Sequence, residues 1–174
     1  YRQKNGPFKK VEDLMNVRYR IKPASTPDPG AIYQDPHWKI YEDRQAFPRA
    51  WVAHEAIVDP SDDDTYARIM NRSADLHRAA LVSAPLPEPL DKTAAGDTLR
   101  FTSYQPNSMS LEVQAAGNGL LVLSEIYYPG WRATVNGNDA EVRRVDGGLR
   151  GILLKPGANR VVLTYVPVAQ YAGA

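Results

Sequence analysis

The sequence predicts a mainly β protein with a few short helices, and three observations carry that prediction. Apolar and polar residues alternate over residues 109–115 and 131–135, as they do in strands that bury one face. The dipeptides Asn136-Gly137 and Asp146-Gly147 are typical of tight hairpin turns. About seven short strands with turn signals every ~8–12 residues indicate an antiparallel β-sandwich or jelly roll. We expect it to occupy residues 97–167.

The first half is predicted to be a small α+β part. Asn5-Gly6-Pro7 places a proline where a helix would begin. A second helix is expected after Ser61, because Ser61 and Asp64 are close to a capping box. Four short strands are expected at residues 17–21, 38–41, 50–58 and 79–82.

A proline-rich segment, Pro85–Pro89, separates the two parts. Closely spaced prolines form an extended, stiff linker. We therefore divide the chain into an α+β subdomain, residues 1–92, and a β-sandwich, residues 93–174. The two are expected to pack against each other, with one compact unit as the alternative.

Composition excludes several classes of function. The 174 residues carry a formal net charge of +1, so nucleic acid is not an expected partner. The chain has no Cys, which removes thiol catalysis, Cys-ligated zinc and disulfides. The histidines lack metal-ligand spacing, and the acidic run Asp59–Asp64 lacks the glycine of a calcium-binding EF-hand loop. No metal and no cofactor are expected.

The chain shows no membrane span of its own. No apolar run approaches the ~18 residues that a spanning helix needs. There is no signal peptide, and the chain begins at Tyr1 without Met. We expect a piece of a longer protein whose membrane segments lie outside it.

Several segments together resemble one bacterial family. In the second half they are Leu123–Trp131, with its run Tyr-Tyr-Pro-Gly-Trp, then Val135–Gly137 and Lys155–Pro167. In the first half they are Leu14–Tyr19 and Ala46–Ala50. The pattern is similar to the C-terminal extracytoplasmic region of YfhO-like bacterial membrane proteins.

That resemblance implies a location and a pathway. The family is polytopic and related to membrane glycosyltransferases that use lipid-linked sugars, whose catalytic acidic residues lie in loops between membrane helices. The resemblance therefore predicts a non-catalytic extracytoplasmic domain that supports contacts with a glycan or with membrane loops. The alternative is a carbohydrate-binding module of a secreted protein, and a glycosidase is a third class. Partners would be the membrane-embedded remainder and possible ligands such as a glycan or an anionic lipid headgroup.

Candidate ligand-binding residues flank the Pro-Gly break. Tyr127 or Tyr128 must point outward from a regular strand and could stack on a sugar ring, whereas Trp131 is expected in the core with Ala133 and Val135. Four arginines could instead meet a phosphate or a lipid headgroup, or simply form a solvated sheet face. They are Arg132, Arg143, Arg144 and Arg150, of which Arg132 and Arg150 are assigned to faces opposite the apolar stripes. No catalytic residue is assigned.

Overall fold

The computed structural model describes residues 7–167, which form two helices and 14 strands. The helices are α1 (Pro7–Leu14) and α2 (Asp62–Asn71). The strands are β1 (Tyr19–Pro23), β2 (Tyr33–Gln34), β3 (Trp38–Glu42), β4 (Ala50–Ala53), β5 (Glu55–Val58), β6 (Ala79–Val82), β7 (Thr98–Gln105), β8 (Ser108–Ala115), β9 (Gly119–Ile126), β10 (Trp131–Val135), β11 (Asn138–Ala140), β12 (Arg143–Val145), β13 (Leu149–Leu154) and β14 (Gly157–Tyr165).

Two compact units divide the chain between Arg49 and Ala50. The first contains α1 and an antiparallel sheet of order β1-β3-β2. Asn16 ends the helical segment with φ of 57°, and its Nδ2 donates to the Phe47 carbonyl at 2.5 Å. Lys9 is buried and forms ion pairs with Asp13 and Asp43.

The second unit is a sandwich of two sheets. One has the order β11-β10-β14-β8-β7 and is antiparallel throughout. The other has the order β4-β9-β13-β12-β6-β5 and includes one parallel pair, β5 with β6. This mainly β architecture with two helices confirms the predicted fold class, while the jelly-roll variant stays a prediction.

The core lies between these two sheets. Its residues are every second residue along each strand, the ones that face inward, as the period-2 pattern predicted. The five-stranded sheet contributes Met109, Leu111, Val113, Ala115, Ala133, Val161 and Leu163, and the six-stranded sheet contributes Ala50, Val52, Leu121, Leu123, Ile152 and Leu154.

The prediction of one strand over residues 50–58 is wrong, because the chain forms two strands there, β4 and β5, which are separated by His54. β4 pairs antiparallel with β9, whereas β5 pairs parallel with β6. The imidazole of His54 is buried, with Nδ1 3.1 Å from the Asn118 carbonyl and Nε2 2.8 Å from the Asp97 carboxylate. These contacts hold His54 at the point where the chain changes partners.

The proline-rich segment does not coincide with the division between units. Residues 50–82 lie before it, yet β4 pairs with β9, and Val82 of β6 pairs with Val145 of β12. The division at residues 49/50 therefore differs from the 92/93 boundary expected from sequence. Proline spacing marks an extended segment but carries no information about which strands pair across it.

Local signals at turns and caps match the structure well. Ser61 caps α2 by accepting a hydrogen bond from the Asp64 N–H at 3.1 Å. Asn136, Gly137, Asp146 and Gly147 all have positive φ, as the hairpin turns require. Short strands β11 and β12 were not expected, since three residues carry too little alternation to read.

Candidate functional site

An aromatic cluster with a buried arginine occupies one end of the sandwich, and we call it the aromatic end. It is defined by six residues from both sheets and the β9–β10 loop: Tyr104, Glu125, Tyr128, Trp131, Arg150 and Tyr165. The Tyr-Tyr-Pro-Gly-Trp run supplies two of them.

The Pro-Gly break positions this cluster. Gly130 has φ of 106°, and a Cβ there would lie 2.7 Å from the Val166 carbonyl oxygen and 2.9 Å from the Tyr165 ring. Only glycine allows both the backbone conformation and the approach. The Gly130 carbonyl also accepts a hydrogen bond from the Val166 N–H at 2.8 Å, which fixes the loop on the end of β14.

Three aromatic rings form a row across the cluster. Trp131 and Tyr165 are directly paired on β10 and β14, with ring centroids 5.5 Å apart. Tyr128 extends the row, 6.2 Å from Tyr165, and is 59% exposed. Trp131 is half-buried against the core, so its expected core position is reached only in part.

Arg150 is the least expected member of the cluster. It is only 5% exposed, although sequence reasoning assigned it to an outward face. Arg150 shares a face of β13 with the core residues Ile152 and Leu154, and because this strand is apolar on both faces, its alternation gave no reliable direction. The assignment of Arg150 to an outward face is therefore corrected.

The guanidinium of Arg150 connects the two sheets. Its Cζ lies 3.8 Å from the centroid of the Trp131 ring, a cation–π stack, and its Nε donates to the Ile126 carbonyl at 2.9 Å. Nη1 is buried and has no hydrogen-bond partner among the described residues. Burial lowers the pKa of Arg150, opposed by the nearby groups of Glu125 and Tyr104.

Two further residues complete the rim of the aromatic end. The Tyr104 hydroxyl donates to the Glu125 carboxylate, and its ring packs edge-on against Phe101 with centroids 5.6 Å apart. Sequence reasoning missed both Tyr104 and Glu125. No local pattern marks them, because β7 and β9 meet here only through the folding of the two sheets.

The remaining candidates fall elsewhere. Arg132 follows Trp131 but points to the opposite, exposed side of β10. Tyr127 is half-buried, and its N–H donates to the Gly148 carbonyl at 2.7 Å. Arg144 forms an ion pair with Asp62, and Arg143 with Glu141, so the four arginines do not converge.

Asp146 is another buried ionisable residue, in the β12–β13 turn. Its Oδ1 accepts a hydrogen bond from the Leu81 N–H at 2.7 Å, whereas Oδ2 has no partner among the described residues. Burial raises the pKa of Asp146 to about 7, against the smaller lowering by the Leu81 hydrogen bond. Within residues 7–167, no three His, Cys, Asp or Glu side chains are grouped so that they could hold a metal ion.

Comparison with known proteins identifies the family. The family model described as bacterial membrane protein YfhO matches residues 68–174. The chain belongs to the YfhO family. The match includes the whole aromatic end and confirms the resemblance seen in the sequence. No curated protein and no solved structure gave a significant match.

The YfhO family is described as a family of bacterial membrane proteins, so we searched the described residues for helices that could span a membrane. None of the helices within residues 7–167 is long and apolar enough to cross a membrane. The two helices described have 8 and 10 residues.

Proposed function

We propose that this chain is a non-catalytic, extracytoplasmic part of a YfhO-family membrane protein, and that its aromatic end contacts a glycan. The observation that carries the proposal is Tyr128, an exposed ring held by Tyr165 next to Trp131. A tyrosine ring offers an apolar face and a hydroxyl, which suits a sugar ring with C–H faces and hydroxyl edges.

The buried arginine supports a rigid platform at this site. Arg150 stacks on Trp131 from the opposite sheet, and Trp131 in turn packs on Tyr165. The Trp131 and Tyr165 rings are thereby held before any ligand arrives, so binding on them loses little side-chain entropy. The relation of YfhO-like proteins to membrane glycosyltransferases that use lipid-linked sugars supports a glycan acceptor as the ligand class.

The same cluster supports a binding role without turnover. Its acidic residue, Glu125, is engaged by the Tyr104 hydroxyl and lies near the Arg150 guanidinium. A glycoside hydrolase needs two carboxyl groups that flank the bond to be broken. The cluster contains one, and the chemistry of the whole protein would then belong to its membrane loops.

Calorimetric titration of the chain with neutral mono- and oligosaccharides tests the contact. Tyr128→Ala should weaken binding of the best ligand roughly tenfold, as loss of a central aromatic contact does. Tyr66→Ala is the matched control, because Tyr66 is similarly exposed on α2. Equal affinity of the Tyr128→Ala chain and the wild type would contradict the proposal.

The side of the membrane is tested separately in cells. A single Cys can be introduced at exposed Asn138 in the whole membrane protein after any Cys outside this chain has been replaced. A maleimide that does not cross membranes should label it in intact cells. Labelling only after the cells are opened would place this part in the cytoplasm and contradict the proposal.

The alternative carbohydrate-binding module of a secreted protein would share the glycan contact. Membership of a membrane protein family favours the first assignment. The alternative ligand is an anionic lipid headgroup, and the exposed Arg132 would contact it. Binding to anionic vesicles that is lost in Arg132→Met and unaffected in Tyr128→Ala would assign the lipid contact to the other face of β10.

A further inference from the structure

A shallow, open groove crosses the outer face of the five-stranded sheet, away from the aromatic end. Its volume is about 450 Å³. Three adjacent strands, β7, β8 and β14, form its floor, and the β10–β11 turn forms one wall. Its side chains differ sharply from those of the aromatic end, because no aromatic residue lines it.

Strand register places three charged residues side by side in the groove. Glu112 of β8 lies directly opposite Arg160 of β14 on one side and Arg100 of β7 on the other. Glu112 is engaged by Arg100, whose Nε and Nη2 lie 3.0 and 2.6 Å from the same carboxylate oxygen. Two cations and one anion leave the groove with one net positive charge.

Arg160 carries that unbalanced charge. Its guanidinium forms no hydrogen bond or ion pair with any residue in the part of the chain that the structure describes, although Glu112 is its direct neighbour. Its backbone is held firmly, since the Arg160 N–H donates to Asn136 Oδ1 at 2.7 Å and the Asn136 N–H donates to the Arg160 carbonyl at 2.9 Å. The backbone of Arg160 is therefore fixed, while the N–H donors of its guanidinium are available to a ligand.

The side chains two residues further along the same three strands are uncharged and leave room for a ligand. Ala158, Gln114 and Thr98 lie opposite one another on β14, β8 and β7. The small Ala158 side chain leaves room beside Gln114, and Gln114 and Thr98 supply an amide and a hydroxyl. These groups suit hydroxyls of a ligand whose charged end reaches Arg160.

We propose that this groove binds a carboxylate-bearing sugar, with the carboxylate on Arg160 and hydroxyls toward Gln114 and Thr98. Guanidinium and carboxylate match in a bidentate geometry. The attraction of one net positive charge grows in proportion to the ligand charge, whereas the cost of removing an ion from water grows with the square of its charge. A monoanion is therefore favoured over a doubly charged phosphate ester. The site is separate from the glycan contact proposed at Tyr128 and does not depend on it.

NMR titration of the isotope-labelled chain with glucuronate, glucose 6-phosphate and glucose tests the proposal. Glucuronate should shift the backbone signals of β8 and β14 more strongly than glucose or glucose 6-phosphate. Arg160→Met should weaken glucuronate binding about tenfold or more, because it removes hydrogen bonds between charged groups. Arg44→Met is the control, since Arg44 is a highly exposed arginine of the first unit.

Glu112→Gln provides a gain of binding that a folding defect cannot imitate. Loss of the Glu112 charge leaves two arginines unopposed, so glucuronate should bind more tightly and glucose 6-phosphate should now bind measurably. Equal shifts by glucose and glucuronate, tighter binding of the phosphate to the wild type, or unchanged affinity in Arg160→Met would each overturn the proposal. Tyr128→Ala should leave this titration unchanged. The result for the groove is therefore independent of whether the glycan contact proposed at the aromatic end is right.

Discussion

Arg150 shows how much a single residue can depend on tertiary context. Its neighbours in sequence are apolar, and nothing local indicates that a guanidinium would enter the space between two sheets. The stack on Trp131 and the hydrogen bond to Ile126 offset part of the cost of burying the charge. Trp131 was predictable from period-2 spacing, whereas its partner Arg150 was not.

Trp131→Ala should destabilise the protein by about 2–4 kcal/mol. The ring packs on Tyr165 and the core, but it is half-buried, so the loss should fall below that of a fully enclosed tryptophan. Chemical denaturation followed by circular dichroism measures it. A loss below about 1 kcal/mol, the net worth of a typical single hydrogen bond, would show that Trp131 is not a structural residue.

Asp146 predicts a pH dependence of stability. Its pKa is raised to about 7 in the folded protein, against a usual value of 3.8, so the folded state holds a proton that the unfolded state loses. Stability should therefore be fully present below about pH 4 and fall as the pH rises to about 7. The upper limit of the loss is on the order of 4 kcal/mol.

Urea unfolding between about pH 5 and pH 8 compares the wild type with Asp146→Asn. Asparagine tolerates the positive φ at this position and keeps an acceptor for the Leu81 N–H. The variant should lose most of this pH slope. A slope identical to that of the wild type would assign the pH dependence to other groups.

At the scale of elements, caps and turns were the easiest features to predict. The start of α2 and the Asn136-Gly137 hairpin depend on side chains within a few residues of each other. Strand partners were harder, because β5 and β6 pair in parallel across a helix and β4 pairs with a strand some 70 residues later. Alternation shows which face a strand buries but does not show which strand lies beside it.

Ser61→Ala should cost about 1 kcal/mol, since it removes the acceptor for the Asp64 N–H at the beginning of α2. Ser83→Ala is the matched control, because Ser83 is exposed in the loop after β6. Thermal unfolding of the two variants measures the difference. Equal melting temperatures would mean that this cap contributes nothing.

At the scale of the whole molecule, the second unit is held together by strands from both sides of the proline-rich segment. We expect a protease site inserted between Pro87 and Glu88 to be cleaved without separating the products. β4 and β6 would stay hydrogen-bonded to β9 and β12 in the six-stranded sheet. Size-exclusion chromatography after cleavage should show one peak that contains both fragments. Two separately folded fragments would contradict the observed strand order.

Binding without turnover at the aromatic end is the central claim. Saturation-transfer NMR on the best-binding glycan from the titrations, mixed with the chain, tests both halves of it in one sample. We predict saturation of the sugar protons that is strongly reduced in Tyr128→Ala and retained in Tyr66→Ala, with no product signals during prolonged incubation. Transfer that persists in Tyr128→Ala, or the appearance of product signals that survive repeated purification, would contradict the account.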